Sequence, residues 1–556
     1  MTNHSYHNLT LCEPATLCLC GDPLDIEDIQ SVAYGAKKVS ITDSGEVRTR
    51  MKLAEDAVSR AVDEGQKIYG ITTGFGGMAD LPVSSADAGI SQQNLLEFLS
   101  CSTGKPIPKE HVRATMLLRA NMLLRGASGV RMEIVERLVA FLNEDLTPVV
   151  GELGSIGASG DLVPLAVIAR AITGQAAPCQ ITTGSDREIS RDEALQVAGL
   201  KPIELQPKEG LAIVNGTTFS TAIAANNLHS AKNILGISFA AHAMMAKALL
   251  AHEDPFASFV HRCKPHRGQI WSAEMMRDLL DVDYTRPSSG NHLQDRYSIR
   301  CLPQYMGPIV DGMLRVEETI ETEMNSITDN PLIDTGCDRF YQSGNFLGQY
   351  IGMAMDDLRK YLGLIAKHLD VQIALLVSPE FNHGLPASLT QQGSSPIDMN
   401  LKGLQILGNS IMPMITHLGK PLVDDFPTHA EQYNQNINGL SWGAANLASQ
   451  SVDLSNRYAA VSLIFAVQAV DLRSSLIEDG NFDGRTVLSS MLEPVYNAVY
   501  DAIDRKPGAK APLISNETSN SLEPLITSLY DSISEQGELI SAVSPVVDSF
   551  NDLNLV

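Results

Sequence analysis

Residues 351–376 read IGMAMDDLRKYLGLIAKHLDVQIALL. Ile351, Met355, Leu358, Leu362, Ile365, Leu369 and Leu376 recur at alternating steps of four and three, broken once at the polar Gln372. Such steps return a side chain to the same face of an α-helix, so the stretch predicts a long helix with one continuous apolar seam. The same rhythm runs through Ile309, Met313, Val316, Ile320 and Ile327, and again through Leu447, Leu454, Tyr458, Val461 and Phe465. Seams of this length have to be covered, and long helices cover one another by packing side by side. The second half of the chain therefore reads as a helix bundle.

The first 230 residues have a different texture. Shorter helical patterns at 48–65 and 110–125 are broken by glycine-rich turns at 70–77, 151–160 and 209–216. Strand-like stretches such as 38–42 are too brief to build a sheet of any size. The expected organisation is a tail over 1–24, a cap domain over 25–230, and a central bundle with C-terminal helices over 231–556. The fold class is mainly α.

Composition narrows the function. The 556 residues carry a formal charge of −24 with 44% hydrophobic content, which fits a soluble globular protein. Nucleic acid is excluded as a partner, because phosphate binding needs clustered Lys and Arg. Cysteines at 12, 18, 20, 101, 179, 263, 301 and 337 show no paired spacing, so they read as free thiols in a reducing compartment with no metal site. The N-terminus lacks a basic stretch followed by a long apolar core, so no secretory signal is expected. The apolar run 458–470 includes Gln468 and is too short for a membrane helix of roughly 20 residues. It reads as a buried core helix. No membrane partner and a cytoplasmic location follow as expectations.

The segment GELGSIGASGDLVPLA at 151–166 places glycines at 151, 154, 157 and 160 and then enters a helical pattern with Pro164 in its first turn. Small residues let the backbone approach itself closely, and the helix start supplies partial positive charge. Spacing alone is equally compatible with an anion-binding nest. The wording around Ala158-Ser159-Gly160, however, resembles the signature of the histidine and phenylalanine ammonia-lyase family. The resemblance covers roughly residues 25–550 and looks closest to bacterial, especially cyanobacterial, phenylalanine ammonia-lyases. It implies the fumarase/aspartase-like bundle with an N-terminal cap domain carrying a prosthetic-group loop. In that family the glycine nitrogen attacks the alanine carbonyl, two waters leave, and the serine becomes an exocyclic methylene. The resulting 4-methylidene-imidazol-5-one supplies an electrophile that none of the twenty side chains offers. By resemblance Ser159 is the methylene source and Ala158 and Gly160 close the ring, with no metal and no dissociable cofactor.

A second turn, YGITTGFGGMAD at 69–80, superficially matches a dinucleotide fingerprint, but no βαβ pattern surrounds it. In the family this opening carries the catalytic base, which places that role on Tyr69. Tyrosine has an unperturbed pKa of about 10, so a base role needs an electropositive setting. Helix N-termini converging on the loop at 158–160 are expected to provide it.

Further matches imply the substrate contacts. The stretch LQDRYSIRC resembles the carboxylate-binding segment and places Gln294, Tyr297 and Arg300 in the site, with Arg300 as a bidentate partner. Asn215 in GLAIVNGTT and Asn330 in SITDNPL match polar contacts around the prosthetic group and the carboxylate, Phe346 in SGNFLGQY matches a position lining the prosthetic ring, and Leu211 matches a substrate-binding position. Lys402, Ile406, Glu431 and Gln435 match positions near the substrate amine and ring, and Glu431 and Gln435 are spaced to share one helical face. Outside the resemblance, each of these is an ordinary surface, turn or core residue.

The pair Phe98-Leu99 in NLLEFLS occupies the family's ring pocket, where tyrosine-preferring members carry histidine first. Arg296, where histidine enzymes usually have proline, disfavours histidine as substrate. The resemblance thus implies conversion of L-phenylalanine to trans-cinnamate and ammonia by a homotetramer with shared active sites. The alternatives are a phenylalanine aminomutase, a tyrosine or histidine ammonia-lyase, and a catalytically silent helical assembly. Gly393-Ser394-Ser395 is similar to a loop of the fumarase and aspartase group, but the following PIDMNLK departs from its pattern.

Overall fold

The computed structural model describes residues 16–281, 293–391, 399, 401–425, 429–508, 510–515, 521–534 and 536–553. Cys12 and Gly393-Ser394-Ser395 lie outside them. The three rhythmic stretches become the long helices Leu302–Met324, which ends before Ile327, Gln349–Val377 and Ser441–Ile477, and a fourth long helix is Thr218–Ala248. Every apolar member of the 351–376 seam is buried, each contributing roughly 1.5–3 kcal/mol relative to exposure. Its polar interruption is buried too. Gln372 Oε1 pairs with His242 Nδ1 at 2.9 Å and Gln372 Nε2 donates to the Ser298 carbonyl at 2.8 Å, so no amide group is stranded in the core. Gly312 in Leu302–Met324 makes room for the Tyr361 ring, which would lie 2.2 Å from a Cβ there.

The chain forms two compact units. The first comprises 1–226, 320–352 and 423–445, and the second comprises 227–319, 353–422 and 446–556. Two later segments thus join the first unit beyond the cap domain expected over 25–230. The chain passes from one unit to the other inside each of the four long helices.

Among the described residues, sheet structure is confined to the first unit and stays small. Thr16–Leu19 pairs in parallel with Lys38–Ile41, so the expectation of a tail over 1–24 fails from residue 16 onward. Leu19 and Val39 bury their side chains, and helix Ile26–Ala33 makes the crossover between the strands. Thr103–Pro106 pairs with Gly151–Leu153, and Gln180–Thr182 with Glu188–Ser190, all antiparallel.

Among the described helices, Ser441–Ile477 is the one long and apolar enough to cross a membrane, and 83% of its most apolar window is buried inside the protein. It is a core helix, as the run 458–470 predicts. The described cysteines form no disulfide.

Candidate active site

Four helix N-termini meet one loop in the first unit. Helix Leu162–Thr173 starts directly behind Gly160 and Asp161. Helix Thr218–Ala248 starts just beyond Gly216, which bridges to Gly160. The Gly157 carbonyl accepts from Gly348 N at 3.1 Å and from Gly439 N at 3.4 Å, and the Ile156 carbonyl accepts from Leu440 N at 3.0 Å. Those donors immediately precede helices Gln349–Val377 and Ser441–Ile477. Each helix start carries unpaired N–H groups and about half a positive charge, so the loop sits in a positive field.

The loop is held tightly. Gly160 has φ +71°, and a Cβ there would lie 2.0 Å from the Gly216 carbonyl oxygen. Only glycine meets both conditions. Trp442 braces the approach by donating Nε1–H to the Glu152 carbonyl at 2.6 Å, with its ring edge-on to Phe219 at 5.0 Å. Buried Asp161 accepts from Ser220 N at 2.7 Å and from Ser155 Oγ at 3.3 Å. Burial raises its carboxyl to about 6, while the Ser220 and Ser155 bonds and the Arg119 charge oppose that rise.

Ser159 forms the tip. Its carbonyl accepts from Asn215 Nδ2 at 2.9 Å and from Gly216 N at 3.3 Å, and its Oγ accepts from Gln435 Nε2 at 2.9 Å. A cavity of about 590 Å³ opens in front of it. Ala158, Ser159, Leu211 and Asn215 line the loop side of this cavity; Tyr69, Phe98, Asn330 and Phe346 line it as well, together with Glu431 and Gln435. Leu99, next to Phe98, is buried at the end of helix Ala88–Phe98 and does not line the cavity.

The Tyr69 hydroxyl accepts from Gly76 N at 3.0 Å, and its ring stands edge-on to Phe75. Burial raises its pKa, the Gly76 hydrogen bond pulls it down, and the Glu431 charge raises it again. Burial likewise raises the Glu431 carboxyl. Lys67 is the one cation among the described lining residues.

The expectation that Glu431 and Gln435 share a helical face is corrected. Glu431, Gln432 and Tyr433 all have positive φ, and Ala430 pairs with Gln435 across a tight turn. This single 3-10 turn, and not an α-helix, brings both side chains to the cavity. Asn330 is fixed from two sides, since its Oδ1 accepts from Ser343 N at 2.7 Å and its N donates to Asp329 Oδ1 at 2.7 Å. Behind it, Lys208 Nζ lies 2.7 Å from both Asp329 oxygens, and both residues are fully buried.

Gln294, Tyr297, Arg300, Lys402 and Ile406 belong to the second unit and are not among the residues lining this cavity. Tyr297 and Ile406 are 72% and 70% exposed, and the Arg300 guanidinium lies 4.8 Å over the Tyr297 ring.

Sequence reasoning missed Arg119, Asp161 and Phe75. The only local signal for Arg119 is its charge inside the apolar run 116–124, which marks a buried polar residue without saying whom it serves. Among the described residues, no group of three or more His, Cys, Asp and Glu is placed to hold a metal ion.

A serine-tipped, glycine-tight loop under four helix ends thus faces a tyrosine across the cavity. The aromatic amino acid lyase family description matches residues 24–500. A phenylalanine ammonia-lyase of Nostoc punctiforme is 46% identical, over 95% of this chain and 94% of its own length. An aromatic ammonia-lyase of Loktanella atrilutea is 41% identical, over 96% and 99%. Among solved structures, a histidine ammonia-lyase of Trypanosoma cruzi superposes with a TM-score of 0.83 at 26% identity, covering 97% of each chain. The chain belongs to the aromatic amino acid lyase family and is a carbon–nitrogen lyase.

Proposed function

We propose that this protein converts L-phenylalanine to trans-cinnamate and ammonia, with a 4-methylidene-imidazol-5-one formed from Ala158-Ser159-Gly160 as its electrophile. The observation that carries the reading is the binding of Ser159, whose carbonyl takes two donors while its Oγ takes a third from Gln435. The residues fit such a group: Gly160 lies where no side chain is tolerated, and the surrounding helix ends stabilise negative charge. When formed, the group would supply the electron-poor carbon that turns the substrate amine into a leaving group.

The chain's own residues do the rest. Tyr69 takes the proton from the β-carbon, the carbon–nitrogen bond breaks, and a double bond forms between the α- and β-carbons. The Gly76 N–H opposes the burial that raises the Tyr69 hydroxyl and favours its ionised form. Asn215 and Gly216 hold the Ser159 carbonyl, and Gln435 faces the amine. Glu431 and Asn330 border the polar end, while Phe98, Leu211 and Phe346 surround the ring. Leu99 acts behind Phe98 by fixing its position.

Gln294, Tyr297 and Arg300 hold the carboxylate, and Lys402 and Ile406 complete the pocket, supplied by neighbouring copies in a homotetramer. The open exposure of Tyr297 and Ile406 in the single chain supports that assignment. A cytoplasmic location agrees with the free thiols.

Incubation of the purified protein with L-phenylalanine and identification of the products tests the reading. Trans-cinnamate and ammonia in equal amounts are expected. β-Phenylalanine as the main product would make the enzyme an aminomutase, and preferential consumption of tyrosine or histidine would overturn the substrate assignment.

A further inference from the structure

Arg119 sits at the base of the loop and is buried to 1% exposure, yet among the described residues it forms no salt bridge at hydrogen-bond distance. Its Nη1 donates to the Asn215 carbonyl at 3.1 Å and to the Ala212 and Thr328 carbonyls at 3.4 Å, while Nε and Nη2 have no acceptor among the described residues. A buried guanidinium with two unsatisfied nitrogens is unfavourable for stability. Burial lowers its pKa to about 10, which leaves it charged at neutral pH; Asp329 and Asp161 favour that charge.

The bonding continues past Asn215. The carbonyl that Arg119 grips belongs to the peptide whose N–H is that of Gly216, and this N–H donates to the Ser159 carbonyl at 3.3 Å. The same residue pair supplies the other donor, Asn215 Nδ2 at 2.9 Å. A cation on a peptide oxygen draws electron density through the C–N bond and makes the attached N–H a stronger donor, since hydrogen bonds in series polarise one another.

We infer that Arg119 is a positioning and polarising residue for the prosthetic group, delivering positive charge through the Asn215–Gly216 peptide to the Ser159 carbonyl. This rests on the proposed function, because only a cyclised triad makes that carbonyl part of the electrophile. Arg119 touches no substrate. Its role is to withdraw electrons from the ring carbonyl and to fix both donors on it.

The test compares Arg119→Lys and Arg119→Gln with the unaltered protein by intact mass and near-ultraviolet absorption on the folded fraction from gel filtration. The unaltered chain is expected to lack the mass of two waters and to show the band of a conjugated carbonyl. Hydrogen bonding to such a carbonyl moves its band to longer wavelength. Both variants should therefore absorb at shorter wavelength, R119Q more than R119K, with kcat lowered about tenfold in R119Q and KM little changed. A purely structural role would lower folded yield and mass deficit together and leave the band of the folded fraction where it was. An R119K band at the unaltered wavelength overturns the inference whatever R119Q does, even if R119Q fails to fold. Full mass and no band in the unaltered chain would instead sink the proposed function.

Discussion

Replacing Lys208 by Met probes how the polar floor of the site is held. Lys208 and Asp329 are both 0% exposed, with Nζ 2.7 Å from each carboxylate oxygen. At that separation the attraction is about 6 kcal/mol for an effective dielectric near 20, and it compensates the desolvation of both ions. Removing one partner leaves the other charge buried and unpaired, which costs about 3–5 kcal/mol. For a unit of this size each kcal/mol moves the thermal midpoint by roughly 2 °C, so K208M should melt roughly 6–10 °C lower by circular dichroism. The double variant K208M/D329L removes both charges and should regain most of that loss. Because Asp329 also accepts from Asn330 N, K208M should raise KM for phenylalanine as well. A K208M protein melting within about 1 °C of the unaltered one would refute the reasoning, since it would mean the pair contributes nothing that burial did not already cancel.

Other outcomes follow from the same geometry. Asp161 is raised by burial from 3.8 to about 6, so the folded state holds a proton that the unfolded chain releases; stability should fall by roughly 3 kcal/mol as pH rises from about 4 to about 6. Urea titrations across that window check this, and D161N should lose that part of the slope. Tyr69→Phe should lower kcat by about 10²–10⁴-fold while keeping the mass deficit of two waters; a deficit lost in parallel would assign Tyr69 to ring formation instead. Phe98→His gives a tyrosine hydroxyl a partner and should raise the tyrosine-to-phenylalanine ratio of kcat/KM by about 10–100-fold. An unchanged ratio in competition assays would remove Phe98 from the specificity determinants.

The bundle is legible because its signal is periodic and long. From Ile351 to Leu376 each apolar step lands on the buried face, and even the exception, Gln372, has its partners in His242 and Ser298. Short elements lack that redundancy. Thr16–Leu19 is four residues long, and what makes it a strand is Lys38–Ile41, supplied from beyond an intervening helix. Nothing local announces the pairing.

The turn at Glu431–Tyr433 fails for another reason. Its three positive φ angles fall on Glu, Gln and Tyr, residues that ordinarily avoid that region, so tertiary packing rather than propensity sets the backbone there. The loop residues Ala158, Ser159 and Gly160 were readable as wording, and Tyr69, Asn215 and Gln435 with them. What held them was not. Arg119, the Lys208–Asp329 pair and three of the four helix ends act across about 56 to 284 positions of sequence, a distance over which neither spacing nor composition carries information.

The mass of the proteolytic fragment spanning residues 158–160, from protein active on phenylalanine, tests the backbone-derived electrophile most directly. The fragment should be lighter than its sequence by two water molecules, and lighter by nothing in Ser159→Ala, which should also be inactive. A full-mass fragment from protein that converts L-phenylalanine to cinnamate at full rate would contradict it.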